Sequence, residues 1–342
     1  MRGESILGIV AAVAVCGAAA PHPHEPPYHL IRRVVLGGEG KWDYLTMDPV
    51  GHRVFIAHGT EVLVVSADSG SVVGKIPETP GVHGVALAQG LGRGFTSNGA
   101  DSTVTVFDLA SLKVLNRLTV TGRKPDAIVY DSVSGRVFTF NGGSANATAI
   151  DAATGKVLGT ISLGGSPEFA VADGRGRIYV NLEDRSAITS LDTHTLATGA
   201  TWPLAPGESP SGLAIDRVKR RLFSGCANRL MAVVDANDGR VLGTVPIGAR
   251  VDANVFDPKT NRVFSSNGDG TLTVADASGS TVRVMGTVQT ELGARTMAFD
   301  PQTQHLYLVT AQFGPTPAAT PENPHPKPPA IPGTFALLIF GP

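Results

Sequence analysis

The chain repeats one pattern of apolar and polar positions. One copy, residues 124–141, contains a polar residue, a short apolar run, an Asp-centred turn, an arginine and a second apolar run ending in asparagine. The arginine recurs at intervals of 40, 43, 41, 44, 41 and 43 residues, as Arg53, Arg93, Arg136, Arg177, Arg221 and Arg262, with His305 in the seventh place. One four-stranded propeller blade takes about 40–45 residues. The pattern therefore predicts an all-β fold, a seven-bladed β-propeller of four-stranded antiparallel blades.

Each repeat predicts four strands, which we call A to D from the central channel outward. In the third repeat, strand A covers residues 127–130 and strand B follows the arginine over 137–140. Strand C (147–151) alternates and ends at an Asp, and strand D (156–163) follows a Gly-containing turn. Alternation at period two between Asp, Asn and Gly turns is typical of an antiparallel meander. We expect the recurring arginine to pair with a turn Asp or a neighbouring blade, because a group present in every blade serves the architecture.

The two ends of the repeat array are incomplete in complementary ways. Residues 29–38 resemble a strand D with no A, B or C before it. The last repeat supplies A (296–299), B (306–309) and C (334–340) but no D. We expect the N-terminal strand to join the C-terminal blade and close the ring, which removes unpaired sheet edges. Residues 315–332 contain eight prolines and are predicted to form an exposed loop in that blade.

The first residues predict export. Residues 1–20 read as a signal peptide, with Arg2, an apolar run over 6–15 and small residues at 18–20. Residues 21–27 form a Pro/His linker, and 28–342 are predicted to be a single propeller domain. The expected location is periplasmic or secreted, with no transmembrane segment after signal removal; lipoprotein anchoring through Cys16 is the weaker alternative. The mature chain keeps only Cys226, which excludes an internal disulfide, and we expect a monomer.

Three strand-B motifs resemble a known repeat. Phe95-Thr-Ser-Asn98, Phe138-Thr-Phe-Asn141 and Phe264-Ser-Ser-Asn267 are similar to the Tyr-Val-Thr-Asn motif of YVTN, or YncE-like, seven-bladed propellers. The resemblance covers roughly residues 28–313, completed by 335–340, while Tyr179-Val-Asn-Leu182 and Phe223-Ser-Gly-Cys226 depart from it. It implies export and a binding surface but no reaction. DNA binding has been proposed for one family member, but the net charge of −1 makes a nucleic-acid partner unlikely here.

Candidate chemistry lies at the channel mouth, where the D–A and B–C connections open on one face of the disc. The start of strand A contributes a first ring: Asp43, His83, Asp126, Glu168, Ser211, Asp252 and Arg295. The end of strand B contributes a second: His58, Asn98, Asn141, Asn181, Cys226, Asn267 and Thr310. Core positions keep one chemistry in every blade, whereas the first ring changes from blade to blade. This variation predicts a differentiated ligand-binding mouth.

Three interpretations of the mouth remain open. In the first, a small polar ligand, peptide or protein partner binds between carboxylate acceptors, the Arg295 cation and aromatic walls from Trp42 and Tyr44. In the second, the protein is a metal-dependent hydrolase or lactonase with a divalent metal held by Asp43, His58, His83, Asp126 and Glu168. In the third, the mouth is solvated and each group caps a loop. The sequence assigns no catalytic residue, since it has no Gly-x-Ser-x-Gly elbow, and it identifies no cofactor beyond a divalent metal.

Overall fold

The computed structural model describes residues 28–38, 40–320, 323–324 and 326–342. Over these residues it contains seven four-stranded antiparallel sheets, which confirms the seven-bladed propeller. Two short 3-10 helices, Gln89–Leu91 and Glu183–Arg185, lie in connections between strands. The predicted signal peptide (1–20) and linker (21–27) lie outside the described residues. Within the described part, no helix is both long enough and apolar enough to cross a bilayer.

The first three blades follow one another as meanders. Blade 1 contains β2 (Trp42–Asp48), β3 (Arg53–His58), β4 (Glu61–Ser66) and β5 (Val72–Ile76). Blade 2 contains β6 (Val82–Ala88), β7 (Arg93–Asn98), β8 (Thr103–Asp108) and β9 (Val114–Thr119). Blade 3 contains β10 (Pro125–Asp131), β11 (Arg136–Asn141), β12 (Asn146–Asp151) and β13 (Val157–Ser162).

Blades 4 to 6 repeat the arrangement, and blade 7 draws on both ends of the chain. Blade 4 contains β14 (Pro167–Ala172), β15 (Arg177–Leu182), β16 (Ala187–Asp192) and the short β17 (Trp202–Pro203). Blade 5 contains β18 (Pro210–Asp216), β19 (Arg221–Cys226), β20 (Leu230–Asp235) and β21 (Val241–Pro246). Blade 6 contains β22 (Val251–Asp257), β23 (Arg262–Asn267), β24 (Thr271–Asp276) and β25 (Arg283–Gln289). Blade 7 contains β26 (Met297–Phe299), β27 (Leu306–Thr310), β28 (Ala336–Gly341) and β1 (His29–Val35).

The ring closes between the two termini as the sequence predicts. β1 pairs antiparallel with β28, in a register that runs from His29 opposite Gly341 to Val35 opposite Ala336. β28 is buried along its whole length. The N-terminal strand therefore covers the outer edge of an apolar strand that would otherwise lie open to solvent.

Apolar clusters between neighbouring blades form the core. One cluster joins Phe95 and Val104 of blade 2 to Val137 and Ile150 of blade 3. Another joins blade 7 to blade 1 across the closure. Each sheet thus buries both faces against its neighbours, and its middle strands are accordingly near-continuous apolar runs, as in β3 and β4.

The recurring Asp and arginine stabilise turns and blade contacts, as predicted. The Asp48 carboxylate accepts backbone N–H bonds from Val50 (3.2 Å) and Gly51 (2.9 Å) and a 2.8 Å bond from Arg53. Arg136 instead reaches the next blade, where it donates to the carbonyls of Thr193 and His194. These residues hold the A–B turns on the face opposite the mouth.

Candidate ligand-binding site at the channel mouth

Irregular backbone places the first ring at the mouth. In six blades the register between strands A and B shifts at the start of strand A, between Trp42 and Leu45 in blade 1 and at the corresponding positions of blades 2 to 6. The ring residue lies inside each irregular interval. Because a β-bulge re-aims a side chain and releases its backbone from the ladder, these irregularities account for the position of the ring side chains.

The loops that lead into the ring also adopt unusual backbone angles. Two residues before the ring position, five blades have a positive φ, and in three of them the residue is not glycine: Lys124 (53°), Ser209 (45°) and Arg250 (60°). A left-handed non-glycine residue costs free energy and persists only where its surroundings impose it. The same strained turn before successive strands fixes how the ring enters the channel.

Side chains from the preceding blade bind the ring carbonyls. Ser97 donates to the carbonyl of Asp126, and Ser266 donates to that of Arg295. Asn181 donates to the carbonyl of Ser211 at 2.7 Å. These three side chains satisfy carbonyls that lie at or beside the irregular positions, and they couple the ring backbone of one blade to its neighbour.

The seven ring side chains divide into two paired groups and one remaining residue. On one side, His83 Nδ1 lies 2.5 Å from an Asp43 oxygen and 3.6 Å from an Asp126 oxygen. On the other side, Asp252 accepts a bond from Ser211 Oγ (2.9 Å) and lies 3.2 Å from Arg295 Nε. We call these the His83 group and the Arg295 group.

Glu168 lies between the two groups in ring order. Among the residues the structure describes, its carboxyl makes no hydrogen bond or ion pair, in contrast to the other six. Burial raises the pKa of Glu168 from 4.5 to about 9, and the charges of Asp126 and Asp252 add to the rise. At neutral pH the Glu168 carboxyl therefore keeps its proton.

The paired groups offset the other acidic charges. Burial raises the pKa of Asp126 to about 6 against the opposing charge of His83, and that of Asp252 to about 6 against Arg295. Burial alone would lower the pKa of His83, but the Asp43 hydrogen bond and the Asp126 charge outweigh it, so the pKa is raised. The nearby Asp252 carboxylate likewise raises the pKa of Arg295. The mouth therefore sets its carboxylates against His83 and Arg295 and keeps one proton on Glu168.

An aromatic pair closes the mouth from below. The ring of Tyr44, from blade 1, packs edge-on against Phe169, from blade 4, with centroids 4.9 Å apart. Blades 1 and 4 are not neighbours, so the contact spans the channel. Burial raises the pKa of the Tyr44 hydroxyl well above its usual range, and the charge of Glu168 adds to this effect. Tyr44 therefore forms the floor of the mouth rather than a wall.

The structure buries the second ring inside the blades. The amides of Asn98, Asn141 and Asn267 are fully buried and donate to threonines of strand C, such as Thr105 (2.9 Å from Asn98). Asn181 is also fully buried and points to blade 5. The Cys226 thiol is buried, and burial raises its pKa to about 11. Thr310 donates to the carbonyl of Leu292. These side chains are not open to a ligand at the mouth.

His58 and Trp42 lie away from the channel, at the junction of blades 7 and 1. The His58 ring stacks on Phe335 (centroids 4.4 Å), and its Nε2 is buried without a partner among the described residues. Trp42 packs against Phe335 and Phe313. Beside them, Trp42, Phe335 and the base of the Pro-rich loop line a cavity of about 80 Å³. The described residues of the 315–332 segment are mostly exposed and form no strand.

Three of the five predicted metal ligands come together. One donor atom from each of Asp43, His83 and Asp126 lies within 4.8 Å of the others. His58 and Glu168 do not belong to this group. A carboxylate–imidazole–carboxylate set suits a divalent cation. The fit is partial, however, because His83 Nδ1 and Asp43 are already joined by a 2.5 Å hydrogen bond, which a metal would have to replace.

Sequence reasoning missed the residues that build the mouth without facing it. Ser97 and Ser266 occupy the position before the terminal asparagine of strand B, and Phe169 follows a ring residue directly. The available signal was a serine at that strand-B position, where blades 3 and 5 have Phe140 and Gly225. No local pattern indicates that Phe169 meets Tyr44 across the channel.

Comparison with known proteins gives one family and a widely shared fold. The profile of the PQQ_2 family, described as outer membrane protein assembly factor BamB, matches residues 100–312, more than half of the chain. A search of curated proteins gave no significant match.

Several solved structures are similar in fold. A chain of a mitotic checkpoint complex is 16% identical (TM-score 0.74), with 98% of this chain and 99% of that chain covered. The RRP9 WD40 repeats are 10% identical (TM-score 0.71; 90% and 96% covered). Hydrazine synthase of Kuenenia stuttgartiensis is 14% identical (TM-score 0.69; 78% and 91% covered). Identities this low establish the propeller fold alone.

Proposed function

The chain belongs to the PQQ_2 family of outer membrane protein assembly factor BamB, and from that premise we propose that it is an exported binding or scaffold protein. Its channel mouth recognises a small polar ligand, or a peptide or protein that presents one. The family description names an assembly factor for outer membrane proteins, which supports a peptide or protein partner and an envelope location.

The single observation that carries this proposal is Glu168. Six ring residues pair with one another at distances of 2.5–3.6 Å. Glu168 has no such partner among the described residues and keeps a proton instead of an ion pair. A half-buried carboxyl with no partner among the described residues offers its hydrogen-bonding capacity to a ligand.

The surroundings of Glu168 favour a protonated amine as the ligand group. Asp126 and Asp252 lie close enough to raise its pKa by their charge, so a cation there is attracted by three carboxyl groups. The floor of Tyr44 and Phe169 presents aromatic rings, which also attract ammonium groups. Arg295, with 45% of its side chain exposed, is placed at the rim for an anionic group of the same ligand. A lysine side chain, a free amino terminus or a small zwitterion meets these requirements.

A thermal-shift screen with amines, amino acids and lysine-containing dipeptides tests the proposal. A binder of the folded state raises the unfolding midpoint by mass action. Cationic compounds should raise it and matched neutral amides should not. A cation beside Glu168 favours the ionised carboxylate, so the apparent affinity should increase as the pH rises from 6 toward 9.

Substitutions show whether the ligand-induced rise in the unfolding midpoint comes from binding at the mouth. Glu168→Gln combined with Asp126→Asn should remove the shift, while Asp238→Asn, at an exposed turn outside the mouth, should keep it. A cation-dependent shift that survives the double variant would place the ligand elsewhere. The absence of any shift across the cationic compounds would contradict the assignment.

The second candidate function is a metal-dependent hydrolase or lactonase, and the convergence of Asp43, His83 and Asp126 favours it. These residues would hold a divalent metal, which when bound could polarise a carbonyl or activate water. Elemental analysis of the native protein decides: less than about a tenth of an equivalent of bound metal would exclude this candidate, since a resident catalytic metal is held tightly. Asp43→Asn with His83→Gln should abolish any metal found.

We also propose the finer assignments drawn from the sequence. The YVTN, or YncE-like, subtype is supported by the common role of Asn98, Asn141 and Asn267, each of which binds threonines of strand C. Cleavage after residue 20 and a periplasmic or secreted location fit the apolar N-terminal run. The mass of the exported protein tests this: a product that retains residues 1–20 would contradict the signal peptide.

A further inference from the structure

We propose that the lower half of the central channel is a second binding site, which takes a neutral and largely apolar small molecule. A cavity of about 360 Å³, broadly open to solvent, lies there below the polar mouth. Its lining comes from the inner strands of four consecutive blades, β2, β6, β10 and β14, and includes Met47, Leu87, Ile128, Val129, Tyr130 and Phe169. Inner strands of four successive blades share no space except the channel, which fixes the location.

The Tyr44–Phe169 pair separates this cavity from the mouth. Phe169 lines the cavity, and Tyr44 packs edge-on against it at 4.9 Å. The ring side chains lie at the start of strand A, whereas the cavity residues lie toward its end, on the side of the A–B turns. The channel therefore has two chambers of different chemistry, and the lower site does not depend on the function proposed for the mouth.

The lower chamber is poor in free polar groups. Among the residues that the structure describes, no charged side chain lines it. The Thr46 hydroxyl already donates to the Val85 carbonyl (2.8 Å), and the Gln89 amide donates to Asp48 (2.7 Å). A cavity of this size holds about a dozen waters at about 30 Å³ each. Waters with so few partners are displaced by an apolar group with a gain in affinity.

Size and charge define the ligand class. Small-molecule sites enclose about 300–1,000 Å³ and are mostly apolar, so this chamber suits a compact ligand at the lower end of that range. A charged ligand would have no partner, and burial of an unpaired charge is costly. Phe169 and Tyr130 offer aromatic surfaces, and the Tyr130 hydroxyl makes no side-chain hydrogen bond to another described residue. It can therefore donate to one ligand carbonyl or ether oxygen.

Titration with N-phenyl-1-naphthylamine, a neutral apolar dye that fluoresces when removed from water, tests the site in the full chain. We expect saturable binding of one dye per chain. Val129→Phe and Leu87→Phe each add volume to the half-buried lining and should each weaken binding about tenfold or more. Val218→Phe, where the valine is 83% exposed, is the matched control and should bind as the wild type does. Glu168→Gln should also leave dye binding unchanged, because it alters only the mouth.

Three results would overturn the proposal. The first is dye binding that does not saturate or exceeds one per chain. The second is equal binding by wild type, Val218→Phe and both lining variants, each shown to be folded by circular dichroism. The third is binding lost in Glu168→Gln but kept in the lining variants, which would place the dye at the mouth.

Discussion

At the scale of single residues, Glu168 differs from every other member of the ring. The members of the His83 group and the Arg295 group form hydrogen bonds and ion pairs with one another. Glu168, in contrast, is partly buried near four other acidic groups. A carboxyl in such surroundings stays neutral rather than ionising. The folded protein therefore carries an unfavourable free-energy contribution at Glu168, which a bound ligand would remove.

The free-energy contribution of the Glu168 carboxyl depends on pH. The pKa of Glu168 is 4.5 in an ordinary setting and about 9 in the folded chain. Between these values the folded chain holds a proton that the unfolded chain has released, so the free energy of unfolding falls as pH rises from about 4.5 to about 9. Glu168→Gln keeps the shape of the neutral side chain and removes the titration. At pH 8 it should be more stable than wild type by at least about 1 kcal/mol, and at pH 5 the difference should be much smaller.

Thermal unfolding at pH 5, 6.5 and 8 measures the difference, which corresponds to about 2 °C or more at pH 8 for a chain of this size. Glu208→Gln, at an exposed position, serves as the control and should follow wild type at all three values. Parallel pH profiles for wild type and Glu168→Gln would show that Glu168 is ionised in the folded protein.

At the scale of the strand pair, buried asparagines hold strands B and C together. Asn141 donates to Asn146 (2.9 Å) and Thr148 (3.1 Å) and accepts from Thr139 (3.0 Å), all within blade 3. Asn98 makes the corresponding bonds in blade 2. The repeat asparagine therefore stabilises a hairpin in the three blades that contain Asn98, Asn141 and Asn267.

Asn141→Ala should lower the free energy of unfolding by about 2–3 kcal/mol, because it leaves buried threonine hydroxyls without partners. Urea unfolding followed by tryptophan fluorescence measures this. Asn116→Ala, at an exposed position of β9, removes the same amide and should cost less than about 0.5 kcal/mol. Equal midpoints for the two variants would contradict the structural role given to the buried amide.

The irregular starts of the inner strands were the element that the sequence did not reveal. Residues 127–130 read as an ordinary apolar strand after Asp126, yet the register between strands A and B shifts between Pro125 and Ile128. A bulge arises where two strands differ in length between fixed bonds, and this difference becomes visible only when the partner strand is in place. The repeat spacing nevertheless indicated the ring positions by number, because it aligns equivalent residues of the blades.

At the scale of the whole molecule, the N-terminal strand completes the ring. β28 is wholly buried and apolar, and β1 is its outer partner. A chain that begins at residue 37 would leave this strand as a free edge of a three-stranded blade.

We therefore expect the chain from residue 37 to aggregate or to unfold at lower urea than the chain from residue 28, which keeps β1 and the buried Tyr28. Size-exclusion chromatography with light scattering and a urea titration compare the two. A monomeric shorter chain with an unchanged midpoint would show that closure by β1 contributes little to stability.

The sequence alone determined the blade number, the four strands of each blade, the turn Asp and arginine pairs and the closure by the first strand. These features depend on local alternation and on a period of about forty residues, both of which are properties of a one-dimensional pattern. The sequence also placed the first ring at one rim of the channel, since a meander carries equivalent residues to equivalent positions.

Only the tertiary structure decided what those positions do. It buried the strand-B asparagines beside threonines, placed Trp42 and His58 at the junction of blades 7 and 1, and gave Glu168 no partner among the described residues. It also brought Tyr44 of blade 1 to Phe169 of blade 4, and so divided one channel into a polar mouth and an apolar chamber. The physical reason is that side-chain direction and partner choice depend on which groups meet across the closed ring. That information belongs to residues far apart in the chain and to no single repeat.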